Sequence, residues 1–478
     1  MRNQRRFRTA ALCVGAVLAA QTALHSPAAG ATDQDWPRWE TPEEAGFSSA
    51  AIAAAEQHWL SIPDAPIAAF MLVYKGKILA SFGSESTPFW CHSMRKSFLS
   101  ALYGIHVGNG NIDLDMTLED LGIDDTTPLT AAEKQAKVVH LLKARSGVYI
   151  EAACEAPEMK AARPPRGSHP PDTFWYYNNW DFNALGTIFR QQTGLDIFNE
   201  FEQQIGRHIG MQDFQPGLCE YSYESHLSEH PCYTFRMSTR DRARFGQLFL
   251  QNGRWGGRQI VPEEWVAEST RAYSQDETPG RGYGYMWWTN EPSFFRLFLQ
   301  DPRLHSLWGF AANGYGGQAI VVLPDAEMVL AFAVDVPAGG DLDILETAPL
   351  VEMILTGKEI IDLRALRAVV EPQRAIPGDT LRLRARLRNR SDYPSLPTTV
   401  DFYLVSERRF EDSARWLGRA RLEALAPGMR KTVRLKTALP DNLPPGRYYL
   451  AALADKDKTN YDLDRANNLQ IGKKLVVE

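Results

Sequence analysis

The chain has 478 residues, of which 44% are hydrophobic, and a formal net charge of −6 at pH 7. That length is more than one compact core accommodates, so two or more domains are expected. The mild charge argues against nucleic acid as the main partner, and beyond the N-terminal region no run of about eighteen apolar residues remains to span a membrane.

The N-terminus reads as an address. Arg2, Arg5, Arg6 and Arg8 precede an apolar run from Ala10 to Ala20, and Ala29-Gly30-Ala31 offers a small-residue cleavage site before Thr32. Residues 1–31 are therefore expected to be a signal peptide, and the mature chain exported to a periplasmic or extracellular location. Arg5-Arg6 leaves both the general secretory and the twin-arginine route open. Cys13 lies in the apolar run, but Ala11-Leu12 ahead of it does not read as a lipoprotein cleavage site. Removal of Cys13 leaves Cys91, Cys154, Cys219 and Cys232, an even set with three possible pairings in an oxidising compartment. Cys219 with Cys232 would close a short polar loop, stabilising by about 3 kcal/mol on a loop-entropy basis. Cys91 with Cys154 would brace the region around residue 93.

Residues 48–60 have helical apolar spacing. A hairpin follows, with strands 68–74 and 77–82 joined at Lys75-Gly76. Next comes Ser93-Met94-Arg95-Lys96, opening a run in which Met94, Phe98, Leu102 and Ile105 recur at helical spacing before Gly108 and Gly110. Residues three apart on a helix share a face, so the lysine amine can sit beside the serine hydroxyl. A serine becomes a nucleophile when an adjacent base takes its proton, and a desolvated lysine can be that base. By itself this pattern is also what a solvated helix shows. His92 is read as structural, because adjacent helical residues do not face one another.

Tyr177-Asn178-Asn179 opens a second helical run, with Phe182, Leu185, Ile188 and Phe189 apolar and Gly194 at its end. Tyr177 and Asn179 either project into one cleft or form a buried aromatic beside a helix cap. The middle of the chain, roughly 100–260, is expected to be mostly helical, with loops at 148–175 and 214–235 shaping any pocket. Strands return around 317–336, and a helix near 343–356 closes the unit. First and last strands separated by a helical insert predict an α/β sandwich built on one antiparallel sheet. Trp287, Trp288 and Trp308 either line a cleft or fill the core. No Cys/His cluster has zinc spacing and none of the ten histidines sits in a ligand motif, so neither metal nor cofactor is implied.

From about Leu363 the pattern changes. Leu381, Leu383, Ala385 and Leu387 alternate with Arg382, Arg384, Arg386 and Arg388, a period of two with one buried face. Further strands are expected at 399–405, 431–435 and 448–453, parted by Pro377-Gly378, Pro427-Gly428 and Pro445-Gly446. Some seven strands in this length predict an all-β immunoglobulin-like sandwich over 363–478. Residues 364–478 carry 23 Lys and Arg against 14 Asp and Glu, net +9, leaving 29 against 44, net −15, for the remainder. This is either a solvated basic face or a surface for an anionic envelope polymer or protein.

Ser93-Met94-Arg95-Lys96 and Tyr177-Asn178-Asn179 resemble the Ser-x-x-Lys and Tyr-x-Asn motifs of the penicillin-recognising serine hydrolases. The closer likeness is to the class C β-lactamase branch, with its esterases and 6-aminohexanoate-dimer hydrolases. Leu141-Leu142-Lys143-Ala144-Arg145-Ser146-Gly147 is similar to the family's Leu-Leu-x-x-x-Ser-Gly segment. Arg236-Met237-Ser238 with Asp241 and Phe245-Gly246 resembles its later helix, and Gly314-Tyr315-Gly316-Gly317-Gln318 leading into 319–324 resembles its third-motif strand. The likeness spans roughly residues 40–358. It implies a β-lactamase-like α/β fold with a helical subdomain over 32–362.

The chain departs from the family at two places. Where members carry Lys-Thr-Gly or a histidine, this chain has Ala312-Asn313-Gly314, and Pro171-Asp172 stands where related chains favour Pro-Gly. The missing cation weighs against β-lactams or D-Ala-D-Ala ends as substrates, with Arg145 or Arg236 as possible substitutes.

The resemblance implies acylation of Ser93, with Lys96 and Tyr177 as general base and acid and Asn179 orienting Lys96 or a substrate amide. It also implies an oxyanion hole from the backbone N–H groups of Ser93 and Tyr315. Asn313, Gly314, Gly316 and Arg145 are its substrate-binding candidates. The expected substrate is a small-molecule amide or ester. The competing expectations are a β-lactamase or DD-peptidase and a non-catalytic envelope binding protein. The C-terminal segment resembles the bacterial CARDB domain through Asp401-Phe402-Tyr403-Leu404, Leu425-Ala426-Pro427-Gly428 and Asn467-Asn468.

Overall fold

The structure is a computed structural model describing residues 36–411 and 413–478. The expected signal peptide, 1–31, lies outside the described residues. The first elements are helix α1 (Ser49–Ser61) and the hairpin β1 (Ala68–Tyr74) and β2 (Lys77–Gly83). The helical insert follows, with α2 (Arg95–Gly108), α3 (Asn179–Thr193) and α4 (Thr239–Leu250) as its long helices. The sheet resumes with β3 (Ser274–Gln275), β4 (Arg281–Tyr283), β5 (Trp288–Asn290), β6 (Gly309–Gly314), β7 (Gln318–Leu323) and β8 (Met328–Val334), and α5 (Ile344–Thr356) closes the unit.

These eight strands form one sheet in the order β2-β1-β8-β7-β6-β5-β4-β3, antiparallel throughout. All residues of β1 and β8 are buried, as unbroken apolar runs are when both faces of a sheet are covered. Met71, Val73, Ile320, Val322, Val329 and Ala331 face the helical insert, while Phe70, Leu72, Leu330, Phe332 and Val334 face the opposite core with α1 and α5. Ser238 caps α4, and Gly246 lets that helix lie directly on the sheet. A Cβ at Gly246 would stand 2.4 Å from Val329 Cγ1.

Two sequence expectations shift. The triplet Ala312-Asn313-Gly314 ends β6 itself and pairs with β7, rather than leading into the strand that carries the motif. Strands β3 to β5 run two or three residues each, too short for any periodicity to register.

Beyond α5 come β9 (Leu363–Glu371), β10 (Arg374–Ala375), β11 (Thr380–Asn389), β12 (Thr398–Val405), β13 (Arg415–Leu422), β14 (Arg430–Ala438), β15 (Gly446–Ala454) and β16 (Leu469–Val477). They make a three-stranded sheet, β9-β11-β14, and a five-stranded sheet, β10-β16-β15-β12-β13. The alternation of β11 is realised, with Leu381, Leu383, Ala385 and Leu387 in the shared core. Its arginines project outward, and the register sets Arg388 opposite both Arg364 and Arg430, Arg384 opposite Arg434, and Arg382 opposite Lys436.

This sandwich is not loosely tethered. Tyr461 and Leu463, from the segment before β16, belong to the outer core of the first unit, where the Tyr461 ring lies 5.9 Å from Phe47 and 6.3 Å from Tyr74. Lys458 Nζ donates to the Pro324 carbonyl at 2.8 Å across the same contact. No helix among the described residues is long and apolar enough to cross a membrane.

Candidate active site

The approach to Ser93 is fixed from both sides. Phe89 and Trp90 pair with Met237 and Arg236, and the Cys91 N–H donates to the Phe235 carbonyl at 2.9 Å. The guanidinium of Arg242, fully buried on the sheet side of α4, donates to Gln318 Oε1 and to the carbonyls of Phe332 (2.8 Å), Phe89 and Trp90 (3.2 Å each). It thereby ties the sheet to the segment before the nucleophile. The sequence reading passed over this residue; the available signal was an arginine on the apolar side of a helix. His92 then adopts φ 48°, a left-handed conformation that non-glycine residues rarely hold. One 3-10 turn, His92–Met94, carries Ser93 into α2.

At that turn the candidate groups meet. Lys96 Nζ lies 3.0 Å from Ser93 Oγ and 2.6 Å from the Tyr177 hydroxyl. Lys96 is buried, with its amine 4.1 Å from the Tyr177 ring centroid and 4.5 Å from that of Phe182. Loss of hydration, followed by the charge of neighbouring Arg95, holds its pKa well below the ordinary lysine value. Burial pushes the Tyr177 phenol up to about 12, against smaller opposing effects from Ser93 and Arg95. At neutral pH the pair therefore consists of an amine disposed to lose its proton and a phenol that keeps its own.

The Leu-Leu-x-x-x-Ser-Gly segment positions Tyr177. Asp181 in the first turn of α3 accepts from Ser146 Oγ and from Asn178 Nδ2 (2.8 Å), and Asn178 caps the helix. A Cβ at Gly147 would stand 2.6 Å from the His169 carbonyl. Asp172 has φ 62°, which accounts for glycine being favoured there, and its carboxylate engages Arg145 Nε at 2.8 Å.

Several candidates fall elsewhere. Arg145 is held by Asp172 and by Ser274 Oγ at 2.9 Å, so it is occupied as a structural tie. Arg236 stacks 4.0 Å over the Trp90 ring. Asn179 does not bond Lys96: its Nδ2 donates to the Cys154 carbonyl at 2.7 Å, and its buried Oδ1 has no partner. Asn313 lines a cavity of about 220 Å3 with Phe294, Phe298 and Phe332, on the face of β6 away from Ser93.

The glycines admit protein rather than substrate. A Cβ on Gly314 would stand 2.5 Å from the Cys91 carbonyl, and one on Gly316 2.4 Å from Val336 Cγ2. Because Gly314 packs on the Cys91 carbonyl, Tyr315 follows beside His92. Its exposed ring lies 5.9 Å from that of His92.

The expected disulfides are absent; all four described cysteines are free. Register separates Cys219 from Cys232, since Cys232 pairs with Ser222 across a short ladder that starts at Glu220. Cys91 turns toward Arg242 NH2, 3.8 Å away, instead of Cys154. The tryptophans also divide. Trp287 is core, Trp288 is half-buried and stacks on Tyr177 at 5.3 Å, and Trp308 bonds Asp325 at the surface. No group of three or more His, Cys, Asp or Glu that could hold a metal ion occurs among the described residues.

Residues 55–347 match the family model described as Beta-lactamase. The chain belongs to the beta-lactamase family, whose fold is that of serine hydrolases, and the C-terminal sandwich lies outside the matched residues. Similar solved structures include a putative 6-aminohexanoate-dimer hydrolase from Bacillus anthracis, 21% identical over 60% of this chain and 78% of that one, with a TM-score of 0.45. A penicillin-binding protein homolog from Caulobacter crescentus is 14% identical over 65% and 99%, TM-score 0.48. A D-stereospecific amidohydrolase from Streptomyces sp. is 17% identical over 65% and 99%, TM-score 0.45. A comparison with curated proteins gives no match.

Proposed function

We propose that this chain is an exported serine hydrolase that cleaves a small amide or ester through a Ser93 acyl-enzyme. The observation that carries this reading is the buried amine of Lys96 set 3.0 Å from the Ser93 hydroxyl and 2.6 Å from the Tyr177 phenol. Ser93 Oγ attacks the substrate carbonyl carbon as its proton passes to Lys96. Backbone N–H groups of Ser93 and Tyr315 receive the developing oxyanion, each such donor being worth about 3 kcal/mol in the transition state. Tyr177 protonates the leaving amine or alcohol and recovers a proton from Lys96. A water, its proton taken through Tyr177, then displaces the acyl group and restores Ser93.

The lack of a cation in Ala312-Asn313-Gly314 favours uncharged amides and esters over carboxylate-bearing β-lactams or D-Ala-D-Ala ends. We further propose that the C-terminal sandwich is a CARDB-like module whose arginine-rich face contacts an anionic envelope polymer. A fluorophosphonate probe is expected to label the peptide containing Ser93, and short-chain esters to turn over faster than a chromogenic cephalosporin. Rapid opening of the cephalosporin would favour a β-lactamase instead. Silence towards the fluorophosphonate, a penicillin probe and every substrate would favour a binding protein. Salt-sensitive retention on an acidic polysaccharide tests the sandwich.

A further inference from the structure

Two cysteines that the proposed chemistry does not use flank one buried cation. The Cys154 N–H donates to Glu224 Oε2 at 2.6 Å, and its carbonyl accepts from Asn179. One residue earlier, the Ala153 carbonyl accepts from Asn183 Nδ2 at 3.0 Å, and Asn183 Oδ1 accepts from Arg95 NH2 at 2.9 Å. On its other side the Arg95 guanidinium lies 4.3 Å over the ring of Tyr233, next in chain to Cys232. The side chains of Cys154 and Cys232 lie against each other, and both neighbour this cation. Arg95 NH1 is buried with no hydrogen-bond partner, so the site holds positive charge that hydrogen bonds only partly satisfy. Cys154 is exposed and Cys232 buried, the arrangement of an entry thiol and a resolving thiol.

We propose that Cys154 and Cys232 are the pair that oxidises, and that their disulfide staples the loop ahead of Tyr177 to the strand behind Arg95. The oxidant is a dithiol-forming disulfide, small or protein-borne. The proton held between the two sulfurs shifts to Cys232, and the Cys154 thiolate attacks the oxidant, expelling one thiolate and leaving a mixed disulfide. Cys232, giving that proton to the departing sulfur, then displaces the second thiol, so the protein gives up two electrons and one proton, the oxidant takes both electrons, and solvent supplies the remaining proton.

In the reduced state, the hydrogen bond from Cys154 and the charge of Arg95 favour a thiolate at Cys232. That anion and Arg95 act on Lys96 with opposite sign, and Cys154 acts in the same sense as Cys232. The remaining titratable neighbours are Tyr177, against Lys96, and Glu224 and Tyr233, against the cysteines. Oxidation removes the anion and leaves Arg95 unopposed, so Lys96 is uncharged at lower pH. The consequence for catalysis rests on Lys96 serving as the base; the bond itself does not.

The test treats the full chain with oxidised glutathione and digests it without reduction. One linked peptide pair containing Cys154 and Cys232 is expected, two hydrogens lighter than the separate peptides. Linkage of Cys219 to Cys232 or of Cys91 to Cys154, or no linkage, overturns the pairing. In protein carrying 13C-labelled lysine, the Lys96 signal, assigned by its loss in Lys96→Met, is followed against pH. Reduction should move its midpoint to higher pH, and Cys232→Ser should abolish the response to reductant. A midpoint indifferent to oxidation overturns the electrostatic half. Neither readout needs turnover, so failure here is distinct from failure of the hydrolase reading.

Discussion

The cleft around Ser93 and the outer face of the C-terminal sheet both gather charge and strain, in opposite ways. The cleft buries its ionisable groups: Lys96 and Arg95 are at most 3% exposed, and His92 holds a left-handed backbone between them and the strand before. The sandwich turns the arginines of β11 outward, several of them facing like charge across the register and Arg384 paired with Glu371, over a core that obeys simple alternation. Desolvation changes the chemistry of a group, whereas solvent screening leaves an exposed cation close to its ordinary state. The contrast separates a region whose amine has lost its hydration from one that carries its cations at the surface.

The largest expected effect breaks the cleft side. Ser93→Ala should lower kcat/KM towards esters by roughly 10^4-fold or more, with the thermal midpoint unchanged; full activity in that variant would remove Ser93 from the mechanism. Tyr177→Phe should lower kcat by about 10^2- to 10^4-fold, read by steady-state kinetics with KM little altered.

A pH experiment sharpens the same contrast. Activity should rise with pH as Lys96 loses its proton, with a midpoint below the ordinary lysine range, while Tyr177 stays protonated up to about 12. The sign for stability follows. The unfolded chain binds a proton at Lys96 that the native chain has given up, so stability falls as pH drops from the ordinary lysine value through the depressed one. Lys96→Met should flatten that slope in urea titrations, where an unchanged slope would show Lys96 to be hydrated.

Next in size is the seam between the two regions. Tyr461→Ala empties an aromatic site in the outer core and should cost about 3–5 kcal/mol, measured as a shift in the urea midpoint, without changing activity per folded molecule. Smallest, and opposite in sign, is Arg388→Thr. It relieves repulsion from Arg364 and Arg430 and should stabilise by about 0.5 kcal/mol. A loss of stability there would mean that the arginine stem packs more than its charge repels.

Much of this architecture was legible in advance where one element buries one face. The hairpin at 68–82, the helix after Ser93 and the alternation at 381–388 follow from local periodicity. Strands β3 to β5 did not, because two or three residues cannot express a period. The candidate pair Cys219 and Cys232 rested on proximity in sequence, which says nothing of the register that sets Cys232 opposite Ser222. At 314 and 316 a glycine in the sequence does not say whether substrate or protein fills the space beside it, and at 313 strand alternation turns Asn313 to the other face.

The sequence by itself determined the apolar faces, the helix on which Ser93 and Lys96 share a side, and the two-unit order along the chain, since each depends on neighbours within a few residues. Only the tertiary structure decided that Tyr177 meets that pair, that Arg242 anchors the segment before it, and that Cys154 and Cys232 share the charge of Arg95. Those contacts join residues some 80 to 150 positions apart, and the desolvation that gives them their chemistry exists only once the helical insert has closed on the sheet.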